Sequence, residues 1–142
     1  MNYLTQTNGN CWSLCVACIL NMTEAQVPDF NDPELLAEEE FEDWLAAARA
    51  WLAERGLQVL KLEAEGEVDN LPAVLAGMGL SGVRWVAGGQ PACCDAPGTD
   101  AHAVVYLGVI PEWDPHPARM GLSRVERAFV LVPFNAKAVK RP

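Results

Sequence analysis

From Cys11 the chain turns abruptly apolar. Trp12, Cys15, Val16, Ile19 and Leu20 recur at helical spacing, and the remaining positions to Met22 are mostly apolar as well. A helix that is apolar nearly all round belongs in the middle of a fold, so a buried central helix is predicted from about Cys11 to Met22. Val27-Pro28-Asp29-Phe30 reads as extended, because a residue before proline is pushed out of the helical region. Asp32-Pro33 then opens a second helix, with the aspartate at the N-cap and the proline at the first helical position. Phe41, Trp44, Leu45, Ala48, Trp51 and Leu52 form its apolar stripe, and Gly56 ends it.

The period then changes. Leu57–Leu62 reads as a strand, Leu71–Met78 as a short helix stopped by Gly79, and Val83–Ala87 as a second strand. A loop of turn formers, Gly88-Gly89-Gln90-Pro91 through Pro97-Gly98, precedes three further strand segments at His102–Leu107, Val109–Trp113 and Ala128–Phe134. The first two are close enough for a hairpin, to which the third adds in one antiparallel sheet. Helices first and strands later predict an α+β fold rather than alternating α/β. Residues 1–142 are read as one domain, a length that supplies one sizeable core.

Composition narrows the function classes. The net charge is −9 and the sequence pI about 4.6, which argues against nucleic-acid binding, since that depends on cations meeting phosphate. Much of the excess lies in Glu34, Glu38, Glu39, Glu40, Glu42 and Asp43, expected to form a solvated face. No apolar run reaches the roughly 20 residues of a membrane-spanning helix. The first residues, Met1-Asn2-Tyr3-Leu4-Thr5-Gln6, carry neither a basic nor an apolar export region, so a cytoplasmic protein is expected. Five cysteines in such a chain are expected to be reduced thiols rather than a disulfide framework.

Cys11 is the cysteine placed for chemistry. It stands where a polar Gly/Asn segment becomes the buried helix, and the free amides of a helix N-terminus stabilise a thiolate. Cys15 and Cys18 lie one and two turns further into the core, where burial keeps thiols protonated. His102 begins the strand Ala103-Val104-Val105-Tyr106 and is a rigidly held base. A hairpin turning near Gly108–Pro111 returns the chain so that Asp114 lies beside His102, where a carboxylate fixes the imidazole tautomer and stabilises the imidazolium. Taken singly, each residue also has a structural role open to it: a helix-start thiol, a buried histidine, a turn aspartate before Pro115.

Together these residues resemble the papain-like cysteine peptidase superfamily, in particular the compact bacterial branch that includes peptidases trimming double-glycine leaders. The matching stretches are Gln6-Thr7-Asn8-Gly9-Asn10-Cys11-Trp12, His102-Ala103-Val104-Val105-Tyr106 and Trp113-Asp114-Pro115-His116-Pro117. The resemblance implies a papain-like fold, a central N-terminal helix carrying the cysteine packed on a small antiparallel sheet. It also implies a cysteine hydrolase acting on a peptide, isopeptide or related amide through an acyl-enzyme, with Cys11, His102 and Asp114 as the triad and no cofactor. A glutamine before the nucleophile helps form the oxyanion hole in that family, a role that falls to Gln6, with Asn10 or backbone amides as substitutes. Papain has one more residue between its glutamine and cysteine, and an asparagine as its third member. The bacterial branch often has Asp-Cys-Gly where this chain has Asn10-Cys11-Trp12.

Trp12 and His116 are candidate residues of the substrate rim. A peptide or protein substrate is the expected partner, with neither nucleic acid nor membrane. Acyl transfer to another nucleophile, as in a transglutaminase-like enzyme, and a non-catalytic binding module on the same fold remain alternatives. Zinc is disfavoured, because the adjacent pair Cys93-Cys94, even with Asp95, Asp100 and His116 nearby, lacks the usual two-to-four-residue spacing. The Gly-rich stretches lack the context of a phosphate loop.

Overall fold

The computed structural model describes residues 1–5, 10–63, 71–92, 102–119 and 121–133. Gln6, the pair Cys93-Cys94, Asp95 and Asp100 lie outside them. Within them the chain is α+β. The first helix, α1 (Cys11–Ile19), is followed by a 3₁₀ turn at Glu24–Gln26, then α2 (Pro33–Glu38), α3 (Trp44–Ala53), β1 (Leu57–Glu63) and α4 (Leu71–Gly77). Four strands come next: β2 (Arg84–Pro91), β3 (His102–Leu107), β4 (Ile110–Trp113) and β5 (Leu122–Pro133). All five strands form one sheet in the order β1-β5-β2-β3-β4, and every neighbouring pair is antiparallel.

Each face of the sheet carries a helical layer. On one, Val59, Val86, Ala103, Val105 and Phe129 meet α1 and α3 through Trp12, Cys15, Val16, Ala48 and Leu52. On the other, Trp85, Ala87, Ala128 and Val130 are covered by Leu71 and Leu75 of α4. Every residue of α1 from Trp12 to Cys18 is buried, as its all-round apolar character predicts. The helix stops at Ile19, three residues short of the predicted end. Asn21 takes a left-handed conformation there, and the Met22 amide donates back to the Ala17 carbonyl at 2.9 Å.

The single helix predicted after Asp32 is two. Asp32 caps α2 by accepting from the Glu34 amide at 3.0 Å, as its sequence position implies. Glu40 then turns left-handed at φ 56°, and Asp43 restarts the helix by accepting from the Ala46 amide at 2.8 Å. This break turns the inner face of α3 toward Ala47, Ala48 and Leu52, leaving Trp44, Leu45 and Trp51 only partly buried. The acidic residues from Glu34 to Asp43 are exposed, as predicted.

Trp51 lines a cavity of about 180 Å³ with Phe30, Leu35 and Phe41, and Arg55 stacks on its outer face at 3.6 Å. Its truncation extends an existing cavity instead of emptying a packed core. Trp51→Ala is therefore expected to cost about 1–2 kcal/mol, below the 3–5 kcal/mol typical of a fully packed tryptophan. Urea unfolding of the variant measures this directly.

Two strands are longer than predicted. β2 runs on through Gly88 and Gly89 to Pro91, and β5 starts at Leu122 rather than near Ala128. Gly89 permits that extension, because a Cβ there would lie 2.1 Å from the Arg124 carbonyl oxygen. The β3–β4 hairpin forms as expected. Its turn uses Gly108 at φ 60°, where a Cβ would collide with the Ser81 carbonyl. Among the described residues no helix is long and apolar enough to cross a membrane.

Candidate active site

The helix α1 and the strand β3 pack against each other, and this contact fixes the site. Cys11 is the first residue of α1 and is partly exposed. The first intrahelical bond runs from the Leu14 amide to the Asn10 carbonyl at 3.0 Å. The Cys11, Trp12 and Ser13 amides thus have no partner within the helix, and no side chain caps them among the described residues. Among the described residues the positive end of the helix at Cys11 is therefore uncapped.

His102 begins β3 and is only 3% exposed. Its Nε2 lies 2.8 Å from Asp114 Oδ1. Asp114, 7% exposed, follows the last residue of β4. It is positioned by an irregularity in the β3–β4 pairing between Val105 and Tyr106. Its carboxylate accepts two further bonds, from the His116 amide to Oδ1 at 2.8 Å and from the Gly121 amide to Oδ2 at 2.6 Å. Burial pushes the Asp114 carboxyl up, but the His102 ring and these two amides outweigh it and hold the group below its ordinary value.

The His102 imidazole is likewise pulled down by burial. Hydrogen bonding to Asp114 and to the Cys11 side chain, with the charges of both, overcomes this and raises it to about 9. The ring is thus bonded to the Asp114 carboxylate and lines the same cleft as Cys11. At neutral pH this arrangement favours imidazolium over imidazole. Cys15, one turn below Cys11, is fully buried, and desolvation raises its thiol well above the ordinary range. Burial raises Cys18 too. Burial favours the thiol form of both, and of the three cysteines of the helix only Cys11 is partly exposed.

Cys11 and His102 open into a cleft of about 130 Å³, whose walls include Asn31, Trp44, Gly88, Arg127 and Phe129. The larger cavity beside Trp51 contains neither cysteine nor histidine. Trp12, a candidate for the substrate rim, lines the cleft from its buried side. It is 8% exposed and packs edge-to-face on Phe30, Trp44 and Phe129 with ring centroids 4.9–5.8 Å apart. It forms the cleft's inner wall because a residue at the second position of a buried helix points into the core.

His116 is half-buried, with its ring edge-on to His102 at 5.9 Å. Its Nδ1 accepts from the Ala118 amide at 3.0 Å, and its own amide serves Asp114. Asn10 is buried and is not among the cleft residues; its amide donates to Glu24 at 3.3 Å. Its Oδ1 has no hydrogen-bond partner among the described residues. Gln6 lies outside the described residues.

Sequence reasoning missed Arg127. It lies in the first half of β5, ahead of Ala128, where the sequence pattern predicts that strand to begin. No known protein family, curated protein or solved structure matches the chain.

Proposed function

We propose that this protein is a papain-like cysteine hydrolase that cleaves an amide bond of a peptide or protein substrate through an acyl-enzyme. The observation that carries the reading is the His102 ring hydrogen-bonded to the Asp114 carboxylate and lining one small cleft with Cys11, the first residue of α1. A histidine that keeps its proton at neutral pH beside a cysteine is suited to an ion pair, with the thiol proton residing on the imidazole.

In the first step the Cys11 thiolate attacks the substrate carbonyl carbon. An S–C bond forms, and the carbonyl π pair moves to oxygen, where the Cys11 amide at the helix end donates to it. As the tetrahedral intermediate collapses, His102 gives its proton to the departing amine and the C–N bond breaks, leaving a thioester. Neutral His102 then takes a proton from water, and the resulting hydroxide attacks the thioester. Collapse of this second intermediate expels the Cys11 thiolate, leaving a carboxylic acid and restoring the ion pair. Asp114 orients the ring and stabilises its positive charge throughout.

Iodoacetamide labelling across pH, with peptide mapping of the five cysteines, tests the reading. His102 retains its proton up to about pH 9. With the thiol proton residing on His102, the Cys11 rate should vary far less between about pH 6 and 8 than that of an ordinary cysteine, which gains about tenfold per unit below its pKa of roughly 8.5. At pH 6 the label should be found on Cys11 almost alone. A Cys11 rate that rises in proportion to hydroxide over this range would count against the ion pair.

A further inference from the structure

We propose that Arg127 is the anion-recognising residue of the Cys11 cleft, so that the acyl substrate taken there carries a carboxylate; this rests on the reading of Cys11 as the nucleophile. Arg127 lies on β5, paired with Gly88 of β2 on one side and Glu63 of β1 on the other. Along the strand it alternates with Phe129, and both side chains line the cleft with Cys11 and His102. The pairing slips between Gly88 and Gly89, whose partners are Arg127 and Val125, so that Glu126 is an extra residue in β5.

A cation placed this way ordinarily has an acidic partner. Glu63, its cross-strand neighbour, is instead held by Lys61 at 2.7 Å and feels Arg127 only through space. Among the described residues the Arg127 side chain makes no hydrogen bond and no ion pair. Gly88 leaves the guanidinium uncovered on the β2 side, since a Cβ there would touch Arg127 Nε and Phe129 at 3.4 Å. A chain of net charge −9 thus places at its small cleft a planar cation that has no side-chain partner among the described residues.

Guanidinium offers parallel N–H donors that match a carboxylate. The apolar walls of Trp44 and Phe129 lower the local dielectric and strengthen such a contact. The cleft therefore fits one acyl residue with an apolar body and a carboxylate.

Iodoacetate and iodoacetamide test the charge preference without a known substrate. In both reagents the Cys11 sulfur displaces iodide from carbon, and they differ in a carboxylate against an amide. The His102 charge also attracts iodoacetate, so the comparison is made between variants. Arg127→Gln should lower the iodoacetate-to-iodoacetamide rate ratio at Cys11 by roughly 5–10-fold at low salt, with iodoacetamide changed by less than about twofold. Arg127→Lys should keep most of the ratio. An unchanged ratio in Arg127→Gln overturns the inference and leaves the nucleophile reading intact. Failure of both reagents to select Cys11 in the unmodified protein overturns the nucleophile reading, and the inference with it.

Discussion

Replacing His102 with alanine should reduce turnover of an activated ester such as p-nitrophenyl acetate by roughly 10²–10⁴-fold, the range expected for removal of a general acid–base group. The variant loses both the proton donor and the charge that holds the thiolate. Its labelling should therefore become proportional to hydroxide. With an ordinary thiol pKa near 8.5, only about 0.3% of Cys11 would be ionised at pH 6. A more basic thiolate is also more nucleophilic, so the loss in alkylation rate there should be nearer tenfold than the several-hundred-fold fall in population.

His116→Ala provides the contrast. That ring meets His102 only edge-on and accepts from a loop amide, so the pH profile should keep its shape. Reversed outcomes for the two histidines would make His116 the base and remove Asp114 from its role.

Asp114→Ala should be the most damaging change to stability among the site residues, at about 3–5 kcal/mol. It leaves the His116 and Gly121 amides without their acceptor and takes the anionic partner from a buried imidazole. The difference from the unmodified protein should depend on pH in a defined sense. The Asp114 carboxyl is depressed in the folded state, so its contribution is present above the ordinary carboxylate value of about 4 and is lost as pH falls through the folded value.

His102 is raised, so its charged interaction is fully present below about 6.5 and is lost as pH rises through about 9. The stability gap between the two proteins should therefore be widest between about pH 4 and 6.5 and narrow toward both extremes. Urea unfolding at a series of pH values measures the gap. A gap independent of pH would mean that Asp114 serves only as a hydrogen-bond acceptor for the loop.

The local parts of this arrangement are legible in the sequence. Cys11 is marked by the sudden onset of an apolar helix, and His102 by the onset of a β-rich run. Asp114 is marked by a hairpin whose glycine turn fixes which residues return alongside β3. Each signal lies within a few residues of the group that it identifies.

What escapes is set by contacts between distant elements. Nothing in the run Glu34–Asp43 distinguishes a continuous polar helix from two short ones, because acidic residues suit helix caps and helix interiors alike. Trp12 is amphipathic enough to suit a rim, and only the convergence of Phe30, Trp44 and Phe129 buries it. Arg127 gains its place from strand pairing across the sheet, to Gly88 about forty residues before it and to Glu63 further still.

The central claim, that Cys11 forms and releases an acyl intermediate with His102 and Asp114, is tested most directly by trapping that intermediate. The protein is mixed with p-nitrophenyl acetate, quenched in acid at successive times, and examined by intact-mass and peptide-mapping spectrometry. The expected result is one acetyl group per chain on Cys11, formed in a burst and then released by water. Acetylation should be lost from that site in Cys11→Ala, and release should be slowed in His102→Ala. Acetyl groups spread over lysines and the N-terminus, with Cys11 unmodified throughout, would contradict the claim.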